Sequence, residues 1–406
     1  MNILFATPYL PAPPNFGGAR RMYELIRGAG RLDSVRILSL TGPTDNASDT
    51  EAELGPIVPV PVPVTARMTP DRQRRAAQLR SLASRHSFQY HLSHHPQFQA
   101  ALDQLTMQVE VDLVQIEFSQ MGSYRLPAAI SSILDVHNIE HDVLRQMAHR
   151  GSSLRRLFNQ IEYRKFRREE IDAWRRASRC IATSALDAAA IERQTGRPVP
   201  VIPNGVDLDY FAAPPLAEST DTHIVFTGAM RYRPNADGAI WFVEQVLPRI
   251  QRELRDTCFS IVGADPPPAV RALAERPGVS ITGTVDDVRP WLQAAQIVVV
   301  PLLSGGGTRL KLLEAFASRR PVVSTRAGAE GIDVHDDQEL LLADKPEDFA
   351  RAVIALARTP DLRARLTGAA LELVRARYQW SAISTRLREV QEELLAARPS
   401  KRRWPR

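Results

Sequence analysis

The sequence predicts an α/β protein with two doubly wound domains that face each other across a cleft. Short apolar segments rich in β-branched residues alternate with amphipathic helical segments along most of the 406 residues, a pattern typical of parallel sheets with right-handed crossovers. A segment rich in Pro, Ala and Asp, from Asp207 to about Thr222, interrupts this alternation. A chain of this length is long for one core and predicts two or three domains, and the two alternating halves place a domain at residues 1–205 and another at 206–380.

The N-terminal half begins with a strand over 2–7, a loop rich in Pro and Gly over 8–18, and a helix whose apolar face contains Met22, Leu25 and Ile26. Proline alternates with valine over 57–64, and proline cannot donate to a ladder, so this segment is at best an edge strand. Strands are predicted over 2–7, 35–40, 57–64, 111–117, 132–137, 180–183 and 199–202, and helices over 19–29, 72–92 and 139–177.

The C-terminal half repeats the alternation. Strands are predicted over 223–227, 259–263, 279–282, 297–302, 321–325 and 340–342, and helices over 235–254, 268–274, 288–295, 309–318, 346–357 and 361–377. An amphipathic helix over 381–397 is expected to join the N-terminal domain, and residues 398–406 form a basic tail. Open α/β sheets bind ligands at the carboxyl ends of their strands, so functional residues are expected in the loops that follow them.

One stretch of the C-terminal half has the clearest functional pattern. A glycine turn lets a ligand approach the backbone closely, and the N–H groups and dipole of a helix N-terminus favour an anion. Lys311 and Glu314 are three residues apart and share a helix face. A cation and a carboxylate beside an anion site suit a nucleotide diphosphate with its ribose. The residues that follow the strand over 297–302 are Gly305, Gly306, Gly307, Thr308 as the predicted helix cap, Arg309, Lys311 and Glu314.

Composition limits the function classes. The net charge of +6 favours an anionic partner, which a nucleotide, a membrane surface or nucleic acid could supply. We expect no nucleic-acid partner, because no recognisable binding motif accompanies the charge. Cys180 and Cys258 indicate neither a disulfide framework nor a metal site. No apolar run approaches the roughly 20 residues that span a bilayer, and the first residues predict a strand, not a signal peptide, so we expect a cytoplasmic protein.

Several motifs resemble those of the glycosyltransferases of family 4, which are retaining nucleotide-sugar transferases with the GT-B fold of two Rossmann-like domains. The resemblance covers almost the whole chain and is looser before residue 130. Its motifs are Gly17-Gly18, His137, 202–207 and 305–314, and matches to a bacterial surface-polysaccharide branch are 228–235, 262–263, 283–287 and 329–331.

For the N-terminal domain, the resemblance implies that Gly17 and Gly18 approach the donor phosphate and the acceptor. It places His137 beside the reacting sugar, with His141 as the weaker candidate. His137 also ends a predicted strand on the side where ligands bind.

For the C-terminal domain, the resemblance implies that Lys311 contacts the donor phosphates and Glu314 the ribose hydroxyls. A carboxylate suits the second task because it accepts two hydroxyl hydrogen bonds. The base is then expected near Thr284 and Asp286, mostly against backbone.

The sequence departs from the family pattern at two points. Gly306 stands where the family often has a glutamate close to the transferred sugar, and Glu330 is the predicted substitute. Ala229 stands where the family usually has an arginine, so the diphosphate cation is expected to come from Arg231 or Arg233.

The implied function is sugar transfer, with retention, from a UDP- or GDP-sugar to a glycan or lipid-linked acceptor in cell-surface polysaccharide or glycoconjugate synthesis. The nucleotide sugar is a substrate, and we expect no cofactor and no required metal, because no Asp, Glu or His cluster has metal-ligand spacing. The alternatives are a nucleotide-sugar epimerase of the same build and a catalytically degenerate nucleotide-binding protein. A dehydrogenase is disfavoured because the glycine loop lacks the third glycine of the dinucleotide fingerprint and follows a late strand.

A basic tract over 145–179 allows two interpretations. Acidic residues are interleaved with its arginines, which favours a solvated helix face. The alternative is a docking face for an anionic membrane that carries a lipid-linked acceptor, which would place the protein peripherally on the inner face of that membrane.

Overall fold

The computed structural model describes residues 1–14, 17–62, 71–148, 153–214, 222–304 and 308–397. The chain divides into two compact units, one of Met1–Pro203 together with the C-terminal segment from Ile383, and one of Asn204–Ala382. The predicted basic tail, 398–406, and the three glycines 305–307 lie outside the described residues.

The described residues of the N-terminal unit contain six strands: β1 (Asn2–Thr7), β2 (Ser34–Thr41), β3 (Ile57–Pro61), β4 (Leu113–Glu117), β5 (Ser131–Val136) and β6 (Arg179–Ala182). They form one parallel sheet in the order β3-β2-β1-β4-β5-β6, the order of a doubly wound sheet. The proline-rich β3 is an edge strand, as predicted. The strand predicted over 199–202 makes only a single bridge, from Val201 to Ala182.

The helices of this unit differ from the prediction in number and division. The predicted helix over 139–177 is two helices, and the one over 72–92 is also two, because Ser87 caps a new helix by accepting from Tyr90 N. The helices before residue 200 are α1 (Gly17–Gly30), α2 (Ser48–Leu54), α3 (Asp71–Leu82), α4 (Phe88–Ser93), α5 (Pro96–Gln108), α6 (Glu140–Ala148), α7 (Ser153–Arg176) and α8 (Ala185–Thr195).

In the described part of the C-terminal unit, six strands form a second parallel sheet: β7 (His223–Thr227), β8 (Cys258–Val262), β9 (Val279–Gly283), β10 (Ile297–Val300), β11 (Val322–Ser324) and β12 (Leu341–Leu342). Their order is β12-β11-β10-β7-β8-β9. The order reverses between β7 and β10, so the loops that follow these two strands leave the sheet side by side at its carboxyl edge.

The helices of this unit are α9 (Arg233–Trp241), α10 (Leu247–Glu253), α11 (Pro268–Arg271), α12 (Arg289–Ala294), α13 (Leu310–Ala317), α14 (Arg326–Ala329), α15 (Pro346–Arg358) and α16 (Pro360–Arg377). A π-helical turn over Phe242–Val246 joins α9 to α10. The two sheets confirm the predicted α/β fold with two Rossmann-like domains.

The last helix, α17 (Trp380–Ala396), returns the chain to the N-terminal unit. Arg388 is 2.7 Å from Asp33, Arg179 is 3.0 Å from Glu393, and the buried Gln391 donates to Gln115 at 2.9 Å. Within the described residues, no helix combines the length and hydrophobicity that crossing a membrane requires.

Candidate functional site

The loops that leave β7 and β10 bring Gly228, Asn235 and Lys311 together. A Cβ built on Gly228 would lie 2.6 Å from Lys311 Nζ and 2.8 Å from Asn235 Nδ2, so glycine is what lets the lysine amine lie against this loop. Asn235 Nδ2 donates to the Ala229 carbonyl at 2.9 Å, which leaves Oδ1 to accept from Lys311 Nζ at 2.7 Å. The sequence analysis gave Asn235 no role, although it ends the 228–235 motif.

The Lys311 amine is partly buried beside apolar and neutral groups. It lies 4.4 Å from the centre of the Phe226 ring, a cation–π distance. Burial lowers the pKa of Lys311 from 10.5 to about 7; the Glu314 carboxylate opposes the shift and the Arg309 guanidinium adds to it. An amine with this pKa would gain its charge most readily when an anion binds beside it.

We expect Gly228→Ala to lower the free energy of unfolding by about 1–3 kcal/mol. The φ of +147° disfavours any side chain, and the new Cβ would displace Lys311. Chemical denaturation measures the effect. The matched control is Gly368→Ala within α16, where an added Cβ meets nothing within 4 Å and should be neutral or slightly stabilising. If Gly228→Ala and Gly368→Ala were equally stable, the expected strain of a side chain at position 228 would be contradicted.

A second group in this unit joins Arg309 to Glu330. The Arg309 side chain is buried, and its Nε and Nη2 donate to the Ala327 carbonyl at 3.2 and 3.1 Å. Its Nη2 also lies 3.6 Å from Glu330 Oε2, and burial lowers the pKa of Arg309. The half-exposed Glu330 lines a cavity of about 380 Å³ with Arg326 and Ile332. The ion pair between Arg309 and the predicted sugar-side carboxylate was not predicted from the sequence.

The two arginines predicted near the diphosphate each face an acid. Arg231 Nη1 is 2.8 Å from Asp265, and Arg233 Nε is 3.3 Å from Asp237, four residues further along α9. Both arginine side chains are about two-thirds exposed. Nothing in these contacts favours one of the two, so the choice between them stays open.

The predicted base-side residues, Thr284 and Asp286, are exposed in the loop that follows β9. Gly283, the last residue of β9, has a φ of +71°. Asp287, in the same loop, forms an ion pair with Arg289 at 2.7 Å. The Arg289 guanidinium lies 3.9 Å from the centre of the Tyr210 ring. The described contacts do not connect Thr284 or Asp286 to Lys311, so their role remains a prediction.

The start of α13 differs from the prediction. Gly305, Gly306 and Gly307 lie outside the described residues. Thr308 does not cap the helix: α13 begins at Leu310 after Arg309, without a side-chain cap, and within the described residues the buried Thr308 hydroxyl has no hydrogen-bond partner. The strand ends at Val300, two residues earlier than predicted, and the helix begins at Leu310, one residue later.

The N-terminal unit holds His137 directly after β5. Nε2 of the buried imidazole is 2.8 Å from Glu117 Oε2 and 3.7 Å from Asp135 Oδ2. The two carboxylates are neighbours because β4 and β5 pair Glu117 with Asp135. The ring stacks on Phe118 at 3.7 Å between centres, and Phe118 has a strained φ of +69°.

Arg21 on α1 balances the charge of this cluster. Its Nε and Nη2 reach the two oxygens of Asp135 at 2.8 and 3.0 Å, and its Nη1 donates to the Pro203 carbonyl at 3.0 Å. Gly17 and Gly18 form the first turn of the same helix, four and three residues before Arg21. Burial, followed by the Asp135 charge, raises the pKa of Glu117. The sequence analysis missed Arg21, Glu117 and Asp135.

His141, the weaker histidine candidate, has a structural partner. Its Nδ1 is 2.6 Å from Glu170 Oε2, and Glu170 also accepts from the backbone N–H groups of Glu140 and His141 at the start of α6. Glu170 thus binds both the N-terminus of α6 and the His141 imidazole. This arrangement disfavours a catalytic role for His141.

One group of described residues has the chemistry of a metal site. Ligand atoms of Glu117, Asp135 and His137 lie within 4.8 Å of one another. However, Arg21 occupies both oxygens of Asp135 and places a positive charge beside the group, which disfavours a cation. A hydrogen-bonded charge network therefore explains the group better than a metal centre does, and metal independence stays a prediction.

Two family models match the chain. The model of Glycosyltransferase Family 4 matches residues 17–210, and that of Glycosyl transferases group 1 matches residues 221–359. The chain belongs to glycosyltransferase family 4. Both matched ranges contain part of the groups described above: His137 and Glu117 lie in the first, and Lys311 and Asn235 in the second.

Curated relatives of this family 4 chain are distant. An uncharacterized 44.6 kDa protein in the cps region of Klebsiella pneumoniae is 28% identical over 140 residues, which cover 32% of this chain and 36% of that protein. The chain spans about a third of the length of the curated relatives it matches.

Solved structures share the fold across nearly the whole chain. Sucrose-phosphate synthase from Thermosynechococcus elongatus has a TM-score of 0.72 at 17% identity, covering 98% of this chain and 100% of that one. HepE from Anabaena, in complex with UDP, has a TM-score of 0.68 at 15% identity, covering 97% and 100%. These similarities establish the GT-B fold of this family 4 protein.

Proposed function

We propose that the protein transfers a sugar from a nucleotide-sugar donor and that its C-terminal unit binds the donor. The Lys311 amine carries this proposal. It is drawn into a partly buried position by Gly228 and Asn235, and within the described residues its hydrogen-bond partner is a neutral amide. A diphosphate would give the amine a charged acceptor in place of the neutral amide, and Lys311 would stabilise the charge that grows on the leaving group.

Other donor groups would bind around this amine. Glu314, one turn further along α13, suits the ribose hydroxyls, and the loop at Thr284 and Asp286 suits the base. Glu330, which forms an ion pair with Arg309 at 3.6 Å, would offer the carboxylate that position 306 lacks. Because the HepE structure contains UDP, uridine nucleotides are the first probes to use.

The acceptor is proposed to be a glycan or a lipid-linked saccharide of the cell surface. Transfer with retention would proceed by attack of the acceptor hydroxyl on the face from which the diphosphate leaves, with His137 beside the reacting sugar. The description of one curated relative as lying in a cps region supports this setting.

A product assay tests the function. Purified protein is incubated with UDP- and GDP-sugars, with and without a mixture of saccharide acceptors and with and without EDTA, and products are identified by NMR. We expect a glycoside that forms only with acceptor and is unaffected by EDTA. Free isomerised sugar without acceptor would instead establish the epimerase, and nucleotide binding without any product would establish the degenerate protein.

Peripheral membrane contact and a cytoplasmic location belong to the same proposal. On α7, Arg155, Arg156 and Arg164 are exposed, and the side chain of Leu157 on the same helix is 56% exposed. An apolar side chain among arginines is suited to the interface of an anionic bilayer.

We expect the protein to co-sediment with vesicles that contain anionic lipid and Leu157→Ser to weaken this binding about fivefold, since half-burying a leucine contributes about 1 kcal/mol. Leu186→Ser, at an exposed leucine on α8, is the control and should change nothing. Binding that does not depend on anionic lipid would contradict the assignment of this face.

A further inference from the structure

The imidazole of His137 ends a buried chain of hydrogen bonds that begins on the C-terminal helix. Gln391 Nε2 on α17 donates to Gln115 Oε1 at 2.9 Å, and Gln115 Nε2 donates to Glu117 Oε1 at 2.9 Å. Glu117 Oε2 then meets His137 Nε2 at 2.8 Å. All four side chains are buried, so water does not replace these partners.

The chemistry of Glu117 fixes the direction of this chain. An ionised carboxylate only accepts hydrogen bonds, so Gln115 must turn its amide nitrogen toward Glu117 and its oxygen toward Gln391. For the same reason, Nε2 of His137 must carry a hydrogen. Nδ1 has no hydrogen-bond partner within the part of the chain that the structure describes.

We propose that Glu117 is a positioning residue that holds the hydrogen of His137 on Nε2 and so makes Nδ1 the nitrogen available to a hydroxyl of the bound sugar. The proposal rests on the proposed function, since it assumes that a sugar lies beside His137. It assigns a role to a residue that none of the sequence motifs includes.

Protonation of the Glu117–His137 pair changes the hydrogen-bonding role of Nδ1. With His137 neutral and Glu117 ionised, Nδ1 is a hydrogen-bond acceptor. One added proton makes Nδ1 a donor, whether the proton in the Nε2–Oε2 bond then belongs to the imidazole or to the carboxyl group. A single ionisation therefore changes what His137 offers to a sugar.

The other groups around the pair lie on β5, on α1 and directly after β4 and β6. Asp135 on β5 lies 3.7 Å from Nε2 and is itself paired with Arg21 of α1, so the guanidinium offsets one of the two carboxylate charges. The Phe118 ring covers one face of the imidazole. The Thr183 hydroxyl donates to the His137 carbonyl at 3.2 Å, which fixes the backbone but not the ring nitrogens. Glu117 is therefore the group that decides the state of Nε2.

The direct test is the tautomer of His137 in the full-length wild-type protein. Histidine ¹⁵N–¹H NMR, assigned with His137→Gln, is recorded well above the ordinary histidine pKa of about 6.5. We expect the neutral ring to carry its hydrogen on Nε2. A hydrogen on Nδ1 under these conditions would overturn the proposal, and this reading does not depend on activity.

The functional test is Glu117→Gln, whose amide can pair with either tautomer. We expect kcat to fall about 100-fold, the lower end of what a positioned proton donor or acceptor contributes, and the kcat pH profile to shift, because a neutral amide no longer stabilises the protonated imidazole. UDP affinity should stay within twofold or so of the wild type, since the Lys311 group lies in the other unit.

The chain provides a matched control in its second buried Glu–His pair, Glu170 with His141. Glu170→Gln should lower stability but leave the kcat pH profile unchanged. An unchanged kcat and pH profile in Glu117→Gln, or the same loss in both variants, would overturn the positioning role. If the wild-type protein transferred no sugar, the proposed function would be wrong. The NMR measurement would still show which nitrogen of His137 carries the hydrogen, so the two failures can be told apart.

Discussion

Replacing Lys311 with alanine is expected to lower the affinity for UDP by about 10- to 100-fold, the range for losing one hydrogen bond from a charged donor. The amine lies against Gly228 and donates to the Asn235 amide oxygen, a neutral acceptor, so a bound diphosphate would give it a charged acceptor. Alanine removes this donor and leaves the phosphate facing the apolar Phe226 ring. Isothermal titration calorimetry with UDP measures the change.

Two further variants isolate the cause. Lys345→Ala removes an exposed lysine at the start of α15 and should leave UDP affinity unchanged, which controls for net charge. Asn235→Ala keeps the amine but removes its hydrogen-bond acceptor, so we expect a smaller loss. If Lys311→Ala bound UDP as tightly as Lys345→Ala, Lys311 would not contact the phosphates.

The alternation of strands and helices made the two sheets predictable, because a period of 2 or 3.6 residues is a local property of the sequence. Helix ends were less predictable. Ser87 divides one predicted helix, and the sequence analysis overlooked α8 although Ser184 and Gly196 mark its two ends. These errors come from capping, where one side chain competes with the continuation of a helix.

The candidate site was predictable only where its residues are close in sequence. Lys311 and Glu314 are one helical turn apart, so their common face followed from spacing alone. In contrast, 76 positions separate Lys311 from Asn235, and 114 separate Arg21 from Asp135. Such contacts depend on which strands become neighbours, and the spacing of residues along the chain does not determine that.

The missing glutamate shows the same limit. The sequence could identify Gly306 as a departure and nominate Glu330, but it could not show that the buried Arg309 guanidinium lies 3.6 Å from the Glu330 carboxylate. That ion pair gives the nomination a physical basis, because two opposite charges attract each other at this distance. The role of Glu330 toward a sugar stays a prediction.

UDP binding is expected to weaken as the pH rises above about 7, by up to about tenfold per pH unit, because the free Lys311 amine loses its proton there. An anion favours the protonated amine, so binding above this pH takes up a proton. Calorimetry in buffers of different ionisation enthalpy measures that uptake directly. Uridine, which lacks phosphate, is the control ligand and should bind with no such dependence.

The lowered pKa of Lys311 also predicts how the free energy of unfolding depends on pH. The sign of this dependence follows from comparing the folded and unfolded states. The pKa of Lys311 is about 7 in the folded protein and 10.5 when unperturbed, so the unfolded state binds the proton more tightly. The contribution of Lys311 to the free energy of unfolding therefore increases as the pH rises from about 7 to 10.5, and the same amount of stability is lost when the pH falls through that range. Lys311→Met keeps the apolar stem and should flatten both this rise and the pH dependence of UDP binding. Proton uptake that persists in Lys311→Met would assign the titration to another group.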